Sequence, residues 1–401
     1  MSSGFNLLSL KKEDNQTQKK IYKRHLVIGE DAFSVSLYND LVKKLGESEV
    51  GWICSHELTQ NDVALLGPST LRGKANIEKV KTYFPDLEIT LKEGPELFYK
   101  DMKWKEFGGR AKSEKLLWNE EYFTVGRSDV ELSDFLGCLS EEGFLERVNG
   151  QRMDYKVKSI AHKLPEDLAE PSHFEVTVAS GELVYCESLY WGMGPSEYLN
   201  LYEKKNDLSN EFIEFCESTQ TPAALYMRYD FEKPITDMVE TLFIPLSYTH
   251  EWGHFVGEFK EIEKLVEVRI ENDDDEVEIS MQKKKVQRGE FVTFMDIGHT
   301  SEDEISKKIR LLKKNLDKIF GENSCEFLSE FIKLAPQSGC LKIDDELGSE
   351  ALQKYQNLNF YGYNAPLKHF VNDEKSCEDS GARPSFLARA LSRHQEIIHS
   401  L

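Results

Sequence analysis

The first stretch whose spacing suggests chemistry surrounds Gly29. After His25, residues 26–28 form an apolar run that stops at this glycine, and a helical pattern follows at once. A strand, a glycine turn and a helix open a dinucleotide-binding α/β domain, in which the helix N-terminus holds a pyrophosphate. The phosphate-binding pattern requires glycine at its first, third and sixth positions, which here hold Gly29, Asp31 and Ser34. Because a carboxylate at the second glycine position repels phosphate, this stretch predicts a fold more clearly than an activity.

A second stretch combines histidine and glutamate at the spacing of a zinc site. On a helix, His250 and His254 would share one face and bind Zn²⁺, while Glu251 would activate a water molecule as general base. Pro245 and Gly253 make a long helix costly at this position. Because the residues before the motif resemble a strand, a hairpin carrying ordinary histidines is the alternative structure, and the sequence leaves both open.

The cysteines and the N-terminal segment bear on the cellular compartment. Seven cysteines are scattered along the chain, with no close pair at metal-ligand spacing, a pattern typical of reduced thiols in a cytosolic protein. Residues 1–20 are polar and basic, and no apolar segment of a signal peptide follows them, so we interpret them as a flexible leader. No run approaches the roughly 18 apolar residues of a membrane helix. These features predict a cytoplasmic protein with no membrane span.

Composition limits the classes of partner. The chain has 401 residues, of which 40% are hydrophobic, enough for a large core in two or three domains. Fifty basic and 71 acidic residues give a formal net charge of −21. A field of this sign repels phosphate backbones and anionic lipids, which argues against nucleic acid as a main partner. A small-molecule substrate or a protein partner remains, and the sequence indicates no oligomeric state.

Hydrophobic periodicity supplies the elements that would position these residues. The spacing predicts a helix over 36–45 and a second parallel strand over 50–54. In a dinucleotide site, an acidic residue near the end of the second strand binds the ribose hydroxyls. Glu57 is the nearest candidate for that role.

The rest of the chain divides into a β-rich part and a returning α/β part. Strand-like runs follow residue 197, and Ser301 caps a helix predicted over 301–320. Near the C-terminus, a strand, a glycine and a helix over 376–391 repeat the arrangement at the N-terminus. The predicted fold class is therefore α/β, a Rossmann-like nucleotide domain with an inserted β-rich substrate domain. The predicted bounds are 21–196 and 291–401 for the nucleotide domain and 197–290 for the inserted domain.

These pieces together resemble the flavin-containing amine oxidase superfamily. The matching motifs follow that family's order over roughly residues 25–392. They are Val27-Ile28-Gly29, Gly108-Gly109-Arg110, the Ser180-Gly181-Glu182 hairpin with Trp191-Gly192-Met193-Gly194-Pro195, and Asn357-Leu358-Asn359-Phe360-Tyr361-Gly362 with Ser380-Gly381.

The resemblance implies FAD as cofactor and hydride transfer from a small organic substrate, in the manner of an amine oxidase or desaturase. It places the diphosphate at the first glycine turn, the Gly-Gly-Arg motif near the cofactor and the C-terminal glycine beside the flavin ring. Tyr363 stands where the family usually has an acidic residue, and the sequence identifies no catalytic base. The cofactor-binding positions are Gly29, Asp31, Ser34, Glu57, Gly108, Gly109, Arg110, Gly362 and Tyr363.

Two alternatives to an FAD-dependent oxidoreductase follow from the same residues. The superfamily fold also occurs in the Rab GDP-dissociation inhibitors, which bind proteins, and the degenerate glycine pattern fits such a loss of flavin. The other alternative is a zinc metallopeptidase acting through the segment from His250 to His254.

Overall fold

The first sheet is built around β1 (Lys20–Ile28). The last four residues of this strand, His25 and the apolar residues 26–28, are buried. The computed structural model describes residues 19–63, 91–92, 97–106, 127–128, 143–163, 173–219, 223–246, 254–271, 277–295, 297–321, 324, 326–335, 345–362, 365–366 and 386–401.

The described helices of four residues or more are α1 (Ala32–Leu45), α2 (Gln60–Val63), α3 (Phe144–Gln151), α4 (Pro195–Leu201), α5 (Asn210–Ser218), α6 (Glu302–Phe320), α7 (Asp345–Leu352) and α8 (Phe386–His399). The remaining described strands are β2 (Val50–Ile53), β3 (Leu91–Lys92), β4 (Leu97–Lys100), β5 (Lys103–Glu106), β6 (Arg127–Ser128), β7 (Val157–Lys163), β8 (His173–Val178), β9 (Leu183–Trp191), β10 (Ala223–Phe231), β11 (Leu242–Pro245), β12 (His254–Glu271), β13 (Val277–Met295), β14 (Ser329–Ala335) and β15 (Leu358–Phe360).

The first sheet combines a parallel core with an antiparallel meander. β2, β1, β9 and β15 lie side by side and run parallel. β7 and β8 continue the sheet from β9 as antiparallel strands. Helices α1 and α8 pack together on one face, over a core that includes Val27, Trp52 and Tyr361. Parallel strands with their carboxyl ends at one edge are the framework of a dinucleotide-binding fold, so this part agrees with the predicted α/β class.

Helix α1 begins four residues earlier than the sequence pattern predicts. The helix starts at Ala32 because the Asp31 side chain caps it, whereas apolar spacing alone placed the start at residue 36. The predicted helix over 301–320 agrees closely with α6, whose N-cap is Ser301. The C-terminal helix α8 runs to His399, eight residues beyond the predicted end, and residues 376–385 lie outside the description.

The second sheet is mostly antiparallel and takes strands from three parts of the chain. Its order is β14, β10, β13, β12, β11, β4 and β5, and the β11–β4 pair is parallel. The amphipathic helix α6 buries Leu312 and Leu316 in the aromatic core of this sheet. Strands β12 and β13 are 18 and 19 residues long, so their outer halves extend beyond the neighbouring strands.

Helices α4 and α5 belong to the core of the first sheet, although the sequence placed most of this region in the β-rich segment. Leu199, Phe212 and Phe215 are buried in the cluster that packs against β9 and β15. Proline at the start of α4 and a Ser209 cap on α5 favour helix at these points. The division into a nucleotide domain and an inserted domain stays a prediction. None of the helices in the described ranges is both long and apolar enough to cross a bilayer.

Candidate functional site

The turn after β1 is held by hydrogen bonds among side chains of the chain itself. Asp31 caps α1, and its Oδ1 accepts from the Ser34 amide at 2.9 Å and from Ser34 Oγ at 2.7 Å. The Tyr361 hydroxyl donates toward the Ile28 carbonyl oxygen at 2.9 Å and Ser34 Oγ at 2.8 Å. We call Gly29, Asp31, Ser34 and Tyr361 the closed turn, because the side chains of the last three occupy the space at the helix N-terminus.

Tyr361 fills the corner between two glycines. A Cβ built on Gly29 would lie 2.3 Å from both the Tyr361 hydroxyl and Ser34 Oγ. A Cβ built on Gly192 would lie 2.5 Å from Cζ of the same tyrosine. Glycine is required at both positions because the tyrosine ring already lies against the backbone. The glycine pattern therefore serves close packing of Tyr361.

The tyrosine is fixed from two directions. Its amide donates to the Trp191 carbonyl at 3.2 Å, which continues the pairing of β15 with β9. The guanidinium of Arg393, in α8, is 1% exposed and donates to the Phe360 carbonyl at 2.9 Å and to Asn359 Oδ1 at 3.2 Å. An arginine buried this deeply anchors β15 to α8, so the position of Tyr361 is part of the core.

The electrostatics of the closed turn also disfavour the binding of an anionic ligand. Burial raises the pKa of the Asp31 carboxyl, and the hydrogen bonds from Ser34 only partly offset it. Burial, with Asp31 as a second cause, raises the pKa of Tyr361 well above its ordinary value, so the phenol stays protonated. A diphosphate at this helix N-terminus would have to displace the Asp31 carboxyl from the Ser34 amide. These residues do not fit an FAD diphosphate.

The structure brings together four of the residues that the sequence assigned to cofactor binding. Gly362 has φ of +77°, and a Cβ built there would lie 3.9 Å from Asp31 Oδ2, so this glycine joins Gly29, Asp31 and Ser34. Glu57 is exposed and outside the closed turn. Gly108, Gly109, Arg110 and Tyr363 lie outside the described residues.

Polar side chains at the ends of β1 and β2 form a second group that sequence reasoning missed. One ligand atom from each of Glu30, Cys54 and His56 lies within 4.8 Å of the others, and we call these residues the strand-end cluster. Glu30 follows Gly29, while Cys54 directly follows β2. Adjacent parallel strands end at the same edge of a sheet. This rule could have predicted from the sequence that the residues following β1 and β2 lie close together.

The strand-end cluster contains one buried thiol and two accessible groups. Cys54 Sγ donates to the His56 carbonyl at 3.2 Å, and burial raises the pKa of this thiol to about 11. His56 Nδ1 lies 3.4 Å from Glu30 Oε2, and their side chains are 44% and 38% exposed. The Ser55 amide and hydroxyl both donate to Glu30 Oε1.

The second sheet contacts this edge of the first sheet through α2. Lys333 Nζ lies 2.7 Å from Asp62 Oδ1, and the Arg228 guanidinium lies 3.4 Å from Asn61 Oδ1. Burial would raise the pKa of Asp62, but hydrogen bonds from Lys333 and Thr59 outweigh it and lower the pKa. The ion pair ties β14 to the segment that follows the strand-end cluster.

The backbone at His254 favours the hairpin alternative for the histidine pair. His254 is the first residue of β12 and pairs with Pro245 of β11. The helical spacing needed for a zinc peptidase does not apply to a residue in a strand. His250 lies outside the described residues, so metal binding by the pair stays a prediction.

Comparisons with known proteins identify the overall fold. No family model and no curated protein matches the chain. Among solved structures, a putrescine oxidase variant from work on redesigned cofactor binding has a TM-score of 0.52 at 9% identity, with 95% of this chain and 99% of that one covered. Cyclohexylamine oxidase from Brevibacterium oxydans has a TM-score of 0.53 at 8% identity, covering 94% and 98%.

An oxidoreductase from Methanosarcina mazei is similar to the same extent, with a TM-score of 0.51 at 10% identity and coverage of 94% and 100%. Identities this low do not carry residue roles or activity from one chain to another. The likeness extends over nearly the whole chain, and with the parallel core of the first sheet it shows that the protein has the α/β dinucleotide-binding fold of these oxidases.

Proposed function

We propose that this protein is a flavin-free member of the dinucleotide-binding fold that acts by binding a protein partner. The closed turn carries this proposal, since Asp31, Ser34 and Tyr361 occupy the position at which the fold would hold a diphosphate. A helix N-terminus attracts anions through its exposed amides and its dipole. Here the chain supplies its own anion.

The electrostatic cost of a bound diphosphate supports the proposal. Two like charges about 4 Å apart repel by roughly 4 kcal/mol at the effective dielectric of a protein surface. The Asp31 carboxylate would lie beside a diphosphate at this helix N-terminus, and the formal net charge of −21 adds repulsion over longer distances. Flavin binding would therefore need both a rearranged cap and compensation of this charge.

The outer part of the β12–β13 pair supplies a surface suited to a protein partner. Residues 262–271 pair only with 277–286 among the described residues, and we call this two-stranded segment the β-ribbon. Ten residues of strand extend roughly 30 Å. Leu265 and Met281 share one face of the β-ribbon and are 55% and 58% exposed. Exposed apolar side chains beside open strand edges are typical of recognition by added strands.

A second candidate is an FAD-dependent oxidoreductase of the amine oxidase or desaturase kind, acting on a small molecule. The names of the similar structures favour it, because two of them are amine oxidases with which the chain shares its fold. This candidate requires that residues outside the closed turn bind the diphosphate of the flavin cofactor.

The absorbance spectrum of gently purified protein, before and after addition of FAD, separates the two candidates. We expect no flavin bands in the wild-type protein and no binding when FAD is titrated by fluorescence. The variant Asp31→Gly/Ser34→Gly restores the glycine pattern and removes the carboxylate, and it should bind FAD at least about tenfold more tightly than wild type.

The control for this experiment is Asp31→Asn, which keeps a side-chain cap while removing the charge. It should increase the affinity for FAD by less than the double variant does. Flavin at one equivalent per chain in the wild type would overturn the proposal and support the oxidoreductase.

The partner-binding part is tested by affinity capture with matched chains. Wild-type protein should retain at least one protein that Leu265→Ser/Met281→Ser loses, since both exposed apolar contacts are then removed. Exposed Val239, which is 52% exposed and lies outside the β-ribbon, provides the control Val239→Ser. Equal capture by all three chains would contradict binding through the β-ribbon.

A further inference from the structure

The strand-end cluster lies at a site that two backbone segments hold in fixed register. Ile28 pairs with Ile53, and the Gly29 amide donates to the Ile53 carbonyl at 3.3 Å. The Trp52 indole donates to the Gly29 carbonyl at 3.0 Å, which ties the turn to β2 from the other direction. Glu30 and Cys54 therefore start from adjacent positions on a rigid edge of the sheet.

The carboxylate and the imidazole of the strand-end cluster lie at the separation of two ligands of one metal ion. In a tetrahedral zinc site with bonds of about 2.0–2.3 Å, neighbouring ligand atoms lie roughly 3.3–3.8 Å apart. Glu30 Oε2 and His56 Nδ1 are 3.4 Å apart, and the three ligand atoms all lie within 4.8 Å of one another. The remaining separations, of up to 4.8 Å, would shorten when the three atoms coordinate one ion.

A neighbouring residue orients the carboxylate. The Ser55 amide and hydroxyl both hold Glu30 Oε1, and this leaves Oε2 directed at His56. Such hydrogen bonds to the second oxygen of a ligating carboxylate are the support that metal ligands usually have. On the far side of the imidazole, His56 Nε2 lies 4.0 Å from Asp62 Oδ2. This separation is too long for a hydrogen bond, so Asp62 contributes only negative charge beside the imidazole.

We propose that Glu30, Cys54 and His56 bind one Zn²⁺ ion, with a fourth position open to water. One thiolate, one imidazole and one carboxylate form a donor set that suits zinc better than Mg²⁺ or Ca²⁺, which prefer oxygen ligands alone. On binding, the Cys54 thiol gives up its hydrogen bond to the His56 carbonyl and releases one proton to solvent. The exposed imidazole and carboxylate give the ion a path from solvent.

The site is independent of the proposed flavin-free function, because it uses none of the side chains of the closed turn. It also differs from the pair His250 and His254, which lies elsewhere in the sequence. Its position beside α2, which contacts the second sheet through Asp62 and Lys333, connects metal binding to the junction of the two sheets.

The test is metal binding to the full chain after treatment with a chelator. Competition against a chromophoric zinc indicator should give one Zn²⁺ per chain, and Co²⁺ should give a thiolate charge-transfer band in the near ultraviolet. His56→Ala and Glu30→Gln should each weaken Zn²⁺ binding by at least about tenfold. Cys54→Ser should abolish the Co²⁺ charge-transfer band.

Two histidine variants are the matched controls. His173→Ala removes another exposed imidazole beside a carboxylate, since His173 lies 3.8 Å from Glu175, and it should leave zinc affinity unchanged. His254→Ala should also leave it unchanged. Near-ultraviolet circular dichroism checks folding, and His56→Ala is the safest variant because that side chain is 44% exposed.

Three results would overturn the proposal: no Zn²⁺ bound to wild type, unchanged affinity in folded His56→Ala and Glu30→Gln, or a Co²⁺ band that survives Cys54→Ser. Loss of zinc in His254→Ala with retention in His56→Ala would move the site to the β-rich region.

Discussion

Two aspartates, the buried Asp230 and the half-buried Asp31, lie one beside each sheet in opposite electrostatic environments. Asp230 in β10 is 1% exposed, and its carboxylate accepts from Arg288 at 2.7 and 3.1 Å and from Lys264. Burial would raise the pKa of Asp230, but these cationic donors outweigh it and lower the pKa to about 2. Asp31 accepts from neutral Ser34, and its pKa is raised.

The difference shows what each aspartate contributes. The charge of Asp230 is compensated by two cations. Its contacts link four strands of the second sheet, because Arg288 lies in β13, Lys264 in β12 and Ser329, which donates to it at 2.9 Å, in β14. Lys333 acts on Asp31 only through a weaker coulombic effect, and its amino group is paired with Asp62. Asp230 is therefore a structural ion-pair centre, whereas Asp31 places weakly compensated negative charge at a position suited to phosphate.

Replacing Asp230 should have the largest effect on stability. Asp230→Asn leaves Arg288 and Lys264 facing a neutral amide, and we expect a loss of about 3 kcal/mol in the free energy of unfolding at pH 7. Urea unfolding measures this loss. The exposed Asp237 provides the control Asp237→Asn, which should change stability by less than about 0.5 kcal/mol.

The pH dependence of the same variant has a defined sign. Since the folded pKa of Asp230 is about 2 and the unfolded value is about 3.9, its stabilisation is present above pH 4 and declines as the pH falls toward 2. The difference between wild type and Asp230→Asn should therefore narrow between pH 4 and pH 3. A constant difference over that interval would mean that lost packing, and not lost charge, destabilises the variant.

Local sequence patterns predicted the elements of the fold with most success. The apolar run before Gly29 and the Ser301 cap each depend on neighbours within a few residues, and both appear in the structure as β1 and the start of α6. The predicted start of α1, at residue 36, was wrong by four residues. Asp31 and Ser34 were interpreted as missing glycines, yet an aspartate followed three residues later by serine is also a helix cap, and this local signal was available.

The candidate sites depend on contacts between distant parts of the chain. Tyr361 reaches Ile28 and Ser34 across more than 320 residues, so no pattern near Gly29 could show that the turn is filled. Glu30 and Cys54 come together only because β1 and β2 are adjacent and parallel. From sequence alone no two cysteines formed a pair at metal-ligand spacing, and Cys54 and His56 lacked a third ligand because Glu30 follows another strand.

Replacing Asp31 should have the smallest effect and the opposite sign. Because the folded pKa of Asp31 is raised, wild type loses stability as the pH rises from the ordinary aspartate range through the folded pKa. Asp31→Asn keeps an oxygen for the Ser34 amide and removes the charge, so at pH 7 it should be more stable than wild type by up to about 1 kcal/mol. The gain should vanish below pH 4, where the wild-type carboxyl is protonated in both states.

Urea unfolding of Asp31→Asn and Asp31→Ala at pH 7 and pH 4 checks this expectation, because alanine removes the cap and should cost about 1 kcal/mol at both pH values. If Asp31→Asn is less stable than wild type at pH 7, the helix dipole and Lys333 compensate the carboxylate in full. The closed turn would then stabilise the Asp31 carboxylate as its own bound anion. If Asp31→Asn is more stable than wild type at pH 7, the chain tolerates an unfavourable charge at the position where the dinucleotide-binding fold accepts a phosphate. Exclusion of a diphosphate is then the physical consequence of keeping the Asp31 carboxylate.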